Sequence, residues 1–349
     1  MSLKLNAELL KYPTVREAKF YEKAEGNEAL CLTCERRCGI KEGSKGFCGT
    51  RVNFEGKLYT ITYGDISSIS ANPIEKKPFF HFHPGSYALT VGTWSCNFSC
   101  PWCQNYDISK NQPDPRKARY ISPEQLVNIA CRNGCDGTSI SFNEPTLLLE
   151  YSLELFPLAR ERRLYNTFVS NGYMTLEALG VLADAGLDAI KFDVKGDEEV
   201  YEKYCSGVKA SMVWRNARRA KELGLHVEIV NLVIPGVNDD DGCLRQLVEK
   251  HLRELGPETP LHFTRYHPEY KFRAPPTPVK TLEKARELAR SLGVLFPYVG
   301  NVPEHKYEHT WCPACGELLI QRLGFNILSN RVTFEGKCPK CGFKVPLVQ

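Results

Sequence analysis

The stretch Trp94-Ser-Cys-Asn-Phe-Ser-Cys-Pro-Trp-Cys-Gln104 carries three cysteines, Cys96, Cys100 and Cys103, in the spacing C-x3-C-x2-C with Trp102 just before the last. Three thiolates on one tight loop can hold three corners of a cubane [4Fe-4S] cluster and leave the fourth iron without a protein ligand. A structural metal site closes all its positions, whereas an open position is where a metal site does chemistry. The apolar run Tyr87-Ala-Leu-Thr-Val-Gly92 directly before the loop reads as a strand. The cysteines therefore fall at a strand's carboxyl end, where α/β folds keep their active sites.

Twelve further cysteines divide the chain. Cys31, Cys34, Cys38 and Cys48 form a first group, with Gly39, Gly43, Gly46 and Gly49 able to turn the loop around one metal. Four ligands close such a site, as zinc or as an auxiliary iron–sulfur cluster. The small core expected of so short a segment favours zinc. Cys312-Pro-Ala-Cys-Gly316 and Cys338-Pro-Lys-Cys-Gly342 are matched knuckles flanking the strand-like runs Phe325–Leu328 and Arg331–Phe334. They predict a zinc ribbon or rubredoxin-like domain binding zinc or a single iron. Cys131, Cys135, Cys205 and Cys243 read as buried apolar thiols, the first two on one helix face.

Between residues 87 and 300, strand-like and helix-like segments alternate in about six βα units. Strands are predicted at Gly137–Phe142, Asn166–Ser170, Ala189–Val194, His226–Val233, Leu261–Thr264 and Leu295–Val299. Ser122-Pro-Glu-Gln125 is a capping box that opens a helix. Leu282, Ala285, Leu288, Ala289 and Leu292 form one apolar stripe on another, which Gly293 ends. The division is an N-terminal Cys-rich extension over 1–86, a core over 87–304 and a ribbon over 305–349. Ile74-Glu-Lys-Lys-Pro-Phe-Phe-His-Phe-His83 reads as a charged run entering an aromatic strand.

No stretch approaches the roughly 20 apolar residues of a membrane span. Met1–Leu10 lacks a long apolar core followed by a small-residue cleavage site, so export is not expected. Fifteen cysteines clustered as C-x2-C pairs in 349 residues point to metal binding in a reducing compartment, so the expected location is cytoplasmic. The net charge of +4 does not by itself call for nucleic acid.

The cysteine loop resembles that of the radical S-adenosylmethionine superfamily. The resemblance implies a partial (β/α)6 TIM-like barrel and a cluster whose open iron binds S-adenosylmethionine. It also implies an oxygen-sensitive, anaerobic oxidoreductase fed by an electron donor such as flavodoxin or ferredoxin. Other motifs at strand ends are similar to those of pyruvate formate-lyase activating enzymes. Asn143-Glu144-Pro145 stands where the superfamily has Gly-Gly-Glu-Pro, with Phe142-Asn143 replacing the two glycines. Ser170-Asn171, Asp193 with Lys195, and His267 match segments around the S-adenosylmethionine pocket, while Val169 replaces an acidic residue of the activators. With Trp102 and Gln104, these are the cofactor-binding residues the resemblance implies. No catalytic residue beyond them is assigned.

The N-terminal cysteines, Asn72–His81, Cys103–Ser109, Phe142–Thr146, Val233–Asp239 and the terminal knuckles together resemble the radical S-adenosylmethionine proteins of the AmmeMemoRadiSam system. This implies hydrogen abstraction from a substrate, as in the activation of a partner protein by a glycyl-radical activase. The alternative is radical modification of a small molecule or an RNA base, with the ribbon as a docking module. Arg322, Arg331, Lys337, Lys340 and Lys344 supply the cations RNA would need.

Overall fold

The computed structural model, which describes residues 6–349, divides into two compact units. One comprises residues up to Ala71 with Ala88–Asp188, and the other Asn72–Tyr87 with Ala189–Gln349. These units do not coincide with the three segments read from the cysteines.

The first unit holds three parallel strands, β1 (Tyr87–Gly92), β2 (Gly137–Ile140) and β3 (Tyr165–Ser170), with β1 and β3 flanking β2. Helices α1 (Pro123–Arg132) and α2 (Leu149–Glu161) connect them, and α3 (Leu176–Ala185) follows β3. The capping box forms as read: Ser122 Oγ accepts from Gln125 N, and Gln125 Oε1 accepts from Ser122 N. Strand β2 ends two residues short of expectation because Phe142 adopts φ 71°. Cys135 lies beyond the end of α1, and Cys131 is exposed, so the two thiols do not share a buried helix face.

Two three-stranded antiparallel sheets build the N-terminal part of this unit. Leu9, Val15, Val52 and Ile61 form one apolar cluster; Ala18, Ala29, Cys31, Ile40 and Leu58 form another. The segment therefore carries more core than its length suggested. Of the four glycines among the N-terminal cysteines, Gly39, Gly43, Gly46 and Gly49, only Gly43 and Gly49 take positive φ, while a side chain on Gly39 would strike Glu28.

The second unit holds four parallel strands in sequential order, β4 (Ala189–Val194), β5 (His226–Val233), β6 (Leu261–Arg265) and β7 (Pro297–Gly300). Helices α4 (Ala210–Glu222), α5 (Asp241–Leu255) and α6 (Val279–Leu292) connect them. The α6 stripe buries Leu282, Ala285 and Ala289, and Gly293 caps the helix at φ 111°. Ile74–Lys76 is a single 3-10 turn rather than the start of a strand. Phe79, Phe80, His81 and Phe82 after it are buried, and the segment fills core while pairing through a single parallel bridge, Phe82 to Val348.

A three-stranded antiparallel sheet, β8 (Thr310–Trp311), β9 (Leu318–Leu323) and β10 (Asn326–Asn330), carries the terminal knuckles. Residues 331–334 do not continue it as a strand. Leu319, Ile320 and Val345 of this part pack with Phe80, Phe296 and Tyr298.

A buried polar network is the other organising feature of this unit. Glu228, fully buried, faces His262 Nε2 at 2.7 Å and His226 Nε2 at 2.9 Å, and accepts from His81 N at 2.8 Å. His81 Nε2 reaches Tyr298 Oη at 2.6 Å, and Tyr298 Oη lies 2.9 Å from Thr310 Oγ1. Arg322 donates to Thr310 Oγ1 and to the Glu308 and Phe80 carbonyls, and its guanidinium stacks on the Phe80 ring.

Candidate iron–sulfur and metal sites

Strand β1 delivers the chain to the cysteine loop, and a left-handed residue, Ser95 at φ 68°, turns it. Ser95 N donates to Ile108 O at 2.9 Å, closing the loop onto the short helix Tyr106–Ser109. Cys100 is buried, and Cys96 and Cys103 are partly so. Phe98 N donates to Cys96 Sγ at 3.4 Å, and Cys103 Sγ lies 3.1 Å from Ser109 Oγ. Backbone and hydroxyl donors of this kind stabilise thiolates on a metal. Burial, with the Glu144 carboxylate adding to it, pushes the Cys96 thiol up to about 12. Loading the loop must therefore displace a proton.

Asn143 braces the loop from the end of β2. Its Oδ1 accepts from Thr93 N at 3.1 Å, and its Nδ2 donates to Ser95 O at 2.8 Å. Both amide ends are thus engaged with the loop backbone, although the resemblance placed Asn143 among cofactor-binding residues. Phe142, just before it, holds a left-handed conformation at φ 71°, a strain of about 1–2 kcal/mol for a residue other than glycine. Removing the brace in Asn143→Ala leaves buried backbone groups unpaired, at about 1–3 kcal/mol each. The reconstituted variant is expected to release iron to a chelator about tenfold faster or more. Release at the wild-type rate would show that Asn143 does not hold the loop.

Glu144 is buried and ties the ends of β2 and β3 together. Its Oε1 accepts from Thr146 N at 3.1 Å and Ser170 Oγ at 2.9 Å, and its Oε2 accepts from Asn171 N at 2.9 Å. Burial raises its carboxyl group above the usual range, and these hydrogen bonds oppose the rise. Asn171 Nδ2 in turn donates to Asn97 Oδ1 at 2.7 Å and approaches Cys96 Sγ at 3.9 Å. Cys96, Asn143, Glu144, Ser170 and Asn171 thus form one connected polar cluster around the loop. Trp102 is buried within the loop, and Gln104 is exposed at its end. Asn97, Ser95 and Ser109 belong to the cluster as well. Sequence reading passed over them because small polar residues in a loop carry no periodic signal.

In the second unit, Asp193 sits between Lys191 Nζ at 2.5 Å and Lys195 Nζ at 3.7 Å. Burial alone would raise the Asp193 carboxyl, but the two ammonium groups hold it below its ordinary value. The lysine two residues upstream is the partner that sequence reading missed. His267 is exposed on the loop after β6.

The terminal knuckles repeat one backbone pattern. Cys312 N donates to Glu317 O and Gly316 N to Cys312 O, just as Cys338 N donates to Phe343 O and Gly342 N to Cys338 O. Cys312 and Cys341 Sγ lie 3.5 Å apart, and Cys315 and Cys338 Sγ 3.7 Å. Thiolates about 2.3 Å from one tetrahedral ion stand roughly 3.8 Å apart, so these four residues fit a single metal ion.

The Radical SAM superfamily model matches residues 91–245, and an uncharacterized protein of Methanocaldococcus jannaschii is 43% identical over 338 residues, 96% of this chain and 100% of that one. This chain belongs to the radical SAM superfamily. It is also similar to the isethionate sulfite-lyase activating enzyme of Nitratidesulfovibrio vulgaris, at 30% identity over 163 residues, 46% of this chain and 52% of that enzyme. A radical SAM methyltransferase from Sphaerobacter thermophilus shares the fold, with a TM-score of 0.50 and 14% identity over 63% of this chain and 67% of the other. Membership makes this an enzyme family with a [4Fe-4S] cluster and S-adenosylmethionine, and the loop of Cys96, Cys100 and Cys103 has the donor set for that cluster. The radical SAM match spans Glu144, Asn171, Asp193 and Lys195 but ends before His267 and the knuckles. The N-terminal cysteines also lie outside it. No helix among the described residues is long and apolar enough to cross a membrane.

Proposed function

We propose that this chain cleaves S-adenosylmethionine reductively and uses the resulting radical to take a hydrogen atom from a substrate. The observation that carries the reading is the three-cysteine loop held at the end of a parallel strand by Asn143, with Glu144 and Asn171 beside it. Cys96, Cys100 and Cys103 would hold the [4Fe-4S] cluster. When bound, that group supplies the electron that breaks the sulfonium of S-adenosylmethionine into methionine and a 5′-deoxyadenosyl radical.

The chain's own residues do the positioning. Asn143 holds the loop backbone, Glu144 locks the β2 and β3 ends, and the Asn171 amide lies against Cys96. Trp102, Gln104, Ser170, Asp193, Lys195 and His267 complete the proposed cofactor contacts. The architecture that goes with this reading is a partial (β/α)6 barrel with a C-terminal zinc ribbon, working in the cytoplasm with a flavodoxin or ferredoxin as electron donor.

For the substrate we favour a partner protein activated by hydrogen abstraction, in the manner of the pyruvate formate-lyase activating enzymes that the strand-end motifs resemble. Similarity to an enzyme named as an activator supports this choice. The RNA alternative loses support on the ribbon. Arg322 is buried, Arg331 pairs with Glu317, and Lys337 pairs with Glu335. The test is anaerobic incubation of the reconstituted protein with dithionite and S-adenosylmethionine. Methionine and 5′-deoxyadenosine should form in equal amounts. Intact S-adenosylmethionine, or its breakdown to methylthioadenosine alone, would refute the reading.

A further inference from the structure

The N-terminal cysteines need an assignment of their own. Cys31, Cys34, Cys38 and Cys48 line one pocket of the first unit, together with Thr33, Arg36, Ile40, Gly46, Arg51, Asn97 and Leu147. Cys31 N donates to Cys38 O at 2.9 Å, so two of the cysteine segments are fixed against each other. The Cys34 segment docks on the residues after β3: Cys34 bridges to Met174, and Glu35 N donates to Tyr173 O. Cys48 O accepts from Ser95 Oγ, which joins the fourth segment to the catalytic loop.

Buried donors converge on this pocket. Arg51 is 1% exposed; its Nη1 pairs with Glu150 at 2.8 Å, yet its Nε and Nη2 lack a hydrogen-bond partner. Asn97 Nδ2 and Thr33 Oγ1, both buried, also lack one at full hydrogen-bond geometry. Orphaned buried donors are costly and call for an acceptor. Thiolates and inorganic sulfides supply several acceptors in one place, and hydrogen bonds to sulfur are a usual part of an iron–sulfur site.

Spacing separates this pocket from the ribbon. Among the described residues, the ribbon cysteines are the one group of three or more candidate ligands whose donor atoms all lie within 4.8 Å of one another. The four N-terminal thiols line one pocket without being drawn together that closely, and the three thiols of the Cys96–Cys103 loop are not drawn together that closely either. A cubane puts each thiolate on a different iron, so its ligands stand further apart than those around one ion. The apolar clusters described above also give this segment a core that needs no structural zinc.

We propose that this pocket binds a second iron–sulfur cluster, of the [4Fe-4S] class, ligated by Cys31, Cys34, Cys38 and Cys48. Asn97 connects it to the catalytic loop, with its Oδ1 on the Asn171 amide beside Cys96 and its Nδ2 among the N-terminal thiols.

The test is the iron, sulfide and zinc content of anaerobically reconstituted full-length protein, read together with the electron paramagnetic resonance of its reduced form. The wild type should carry about eight irons, four for each cluster, and zinc at the ribbon alone. The combined variant Cys96→Ala, Cys100→Ala, Cys103→Ala should keep about four irons with matching sulfide and a reduced-cluster signal. This result is independent of the catalytic reading, because the catalytic ligands are gone. Wild type with about four irons and two zinc ions per chain, or a triple variant without iron, would overturn the assignment. If the triple variant is insoluble, the wild-type content decides alone. In Cys34→Ser, Cys38→Ser the iron should fall by about four while 5′-deoxyadenosine formation with dithionite survives. No fall in iron would also overturn it.

Discussion

Replacing Cys100 with alanine should abolish 5′-deoxyadenosine formation and remove about four irons per chain, while the metal at the ribbon stays. Cys100 is the buried member of the loop, between Cys96 and Cys103. Without it, two thiolates are left to hold a cluster that needs three, and the loop has no other cysteine to substitute. The fold should survive, because Asn143, Ser95 and the Tyr106–Ser109 helix hold the loop through its backbone. A circular dichroism spectrum like that of the wild type, with background levels of 5′-deoxyadenosine, is the expected pair of results. Turnover by Cys100→Ala would remove the loop from the reaction.

The largest loss of stability is expected at Glu228. Its carboxylate is fully buried and meets His262, His226 and the His81 backbone amide. Burial alone would raise this group, but the two histidines hold it well below the usual carboxylate range. Glu228→Ala strands those three partners, and breaking a buried network of this type costs about 3–5 kcal/mol. The apparent thermal midpoint should fall by roughly 6–20 °C. Glu228→Gln keeps an acceptor for His81 N and should lose less. Because the folded-state value is depressed, the stabilisation is present in full above the ordinary value of 4.5. It drains away as the pH falls below that value. A midpoint shift of Glu228→Ala within error of zero would mean that the network is not holding this unit together.

The two expectations differ in how visible they were. The three-cysteine loop was legible because its signal is local: three cysteines, an aromatic and the preceding apolar strand lie within one short stretch. Strands β4 and β5 and the α1 cap were read for the same reason, since alternation and capping are short-range signals. Glu228 had no such signature. Its partners His81 and His262 lie 147 and 34 residues away, and only the tertiary fold makes them neighbours. Arg322 misled for the same reason. It counts as a surface cation in the sequence, yet the fold buries it against Phe80 and Thr310. The aromatic run after Pro78 has strand composition, but its side chains are spent on packing rather than on a pleated face. Phe142 shows the converse case. Nothing in its residue type announces a left-handed backbone, yet it stands at φ 71° before the Asn143-Glu144 turn, at the expense of strain.

The most direct measurement is the electron paramagnetic resonance spectrum of the dithionite-reduced, reconstituted protein before and after S-adenosylmethionine is added. If Cys96, Cys100 and Cys103 leave an iron open to this cofactor, the cluster signal should change shape on addition and change no further in Cys100→Ala. A spectrum indifferent to S-adenosylmethionine, in a protein whose cluster is fully loaded, would contradict the account.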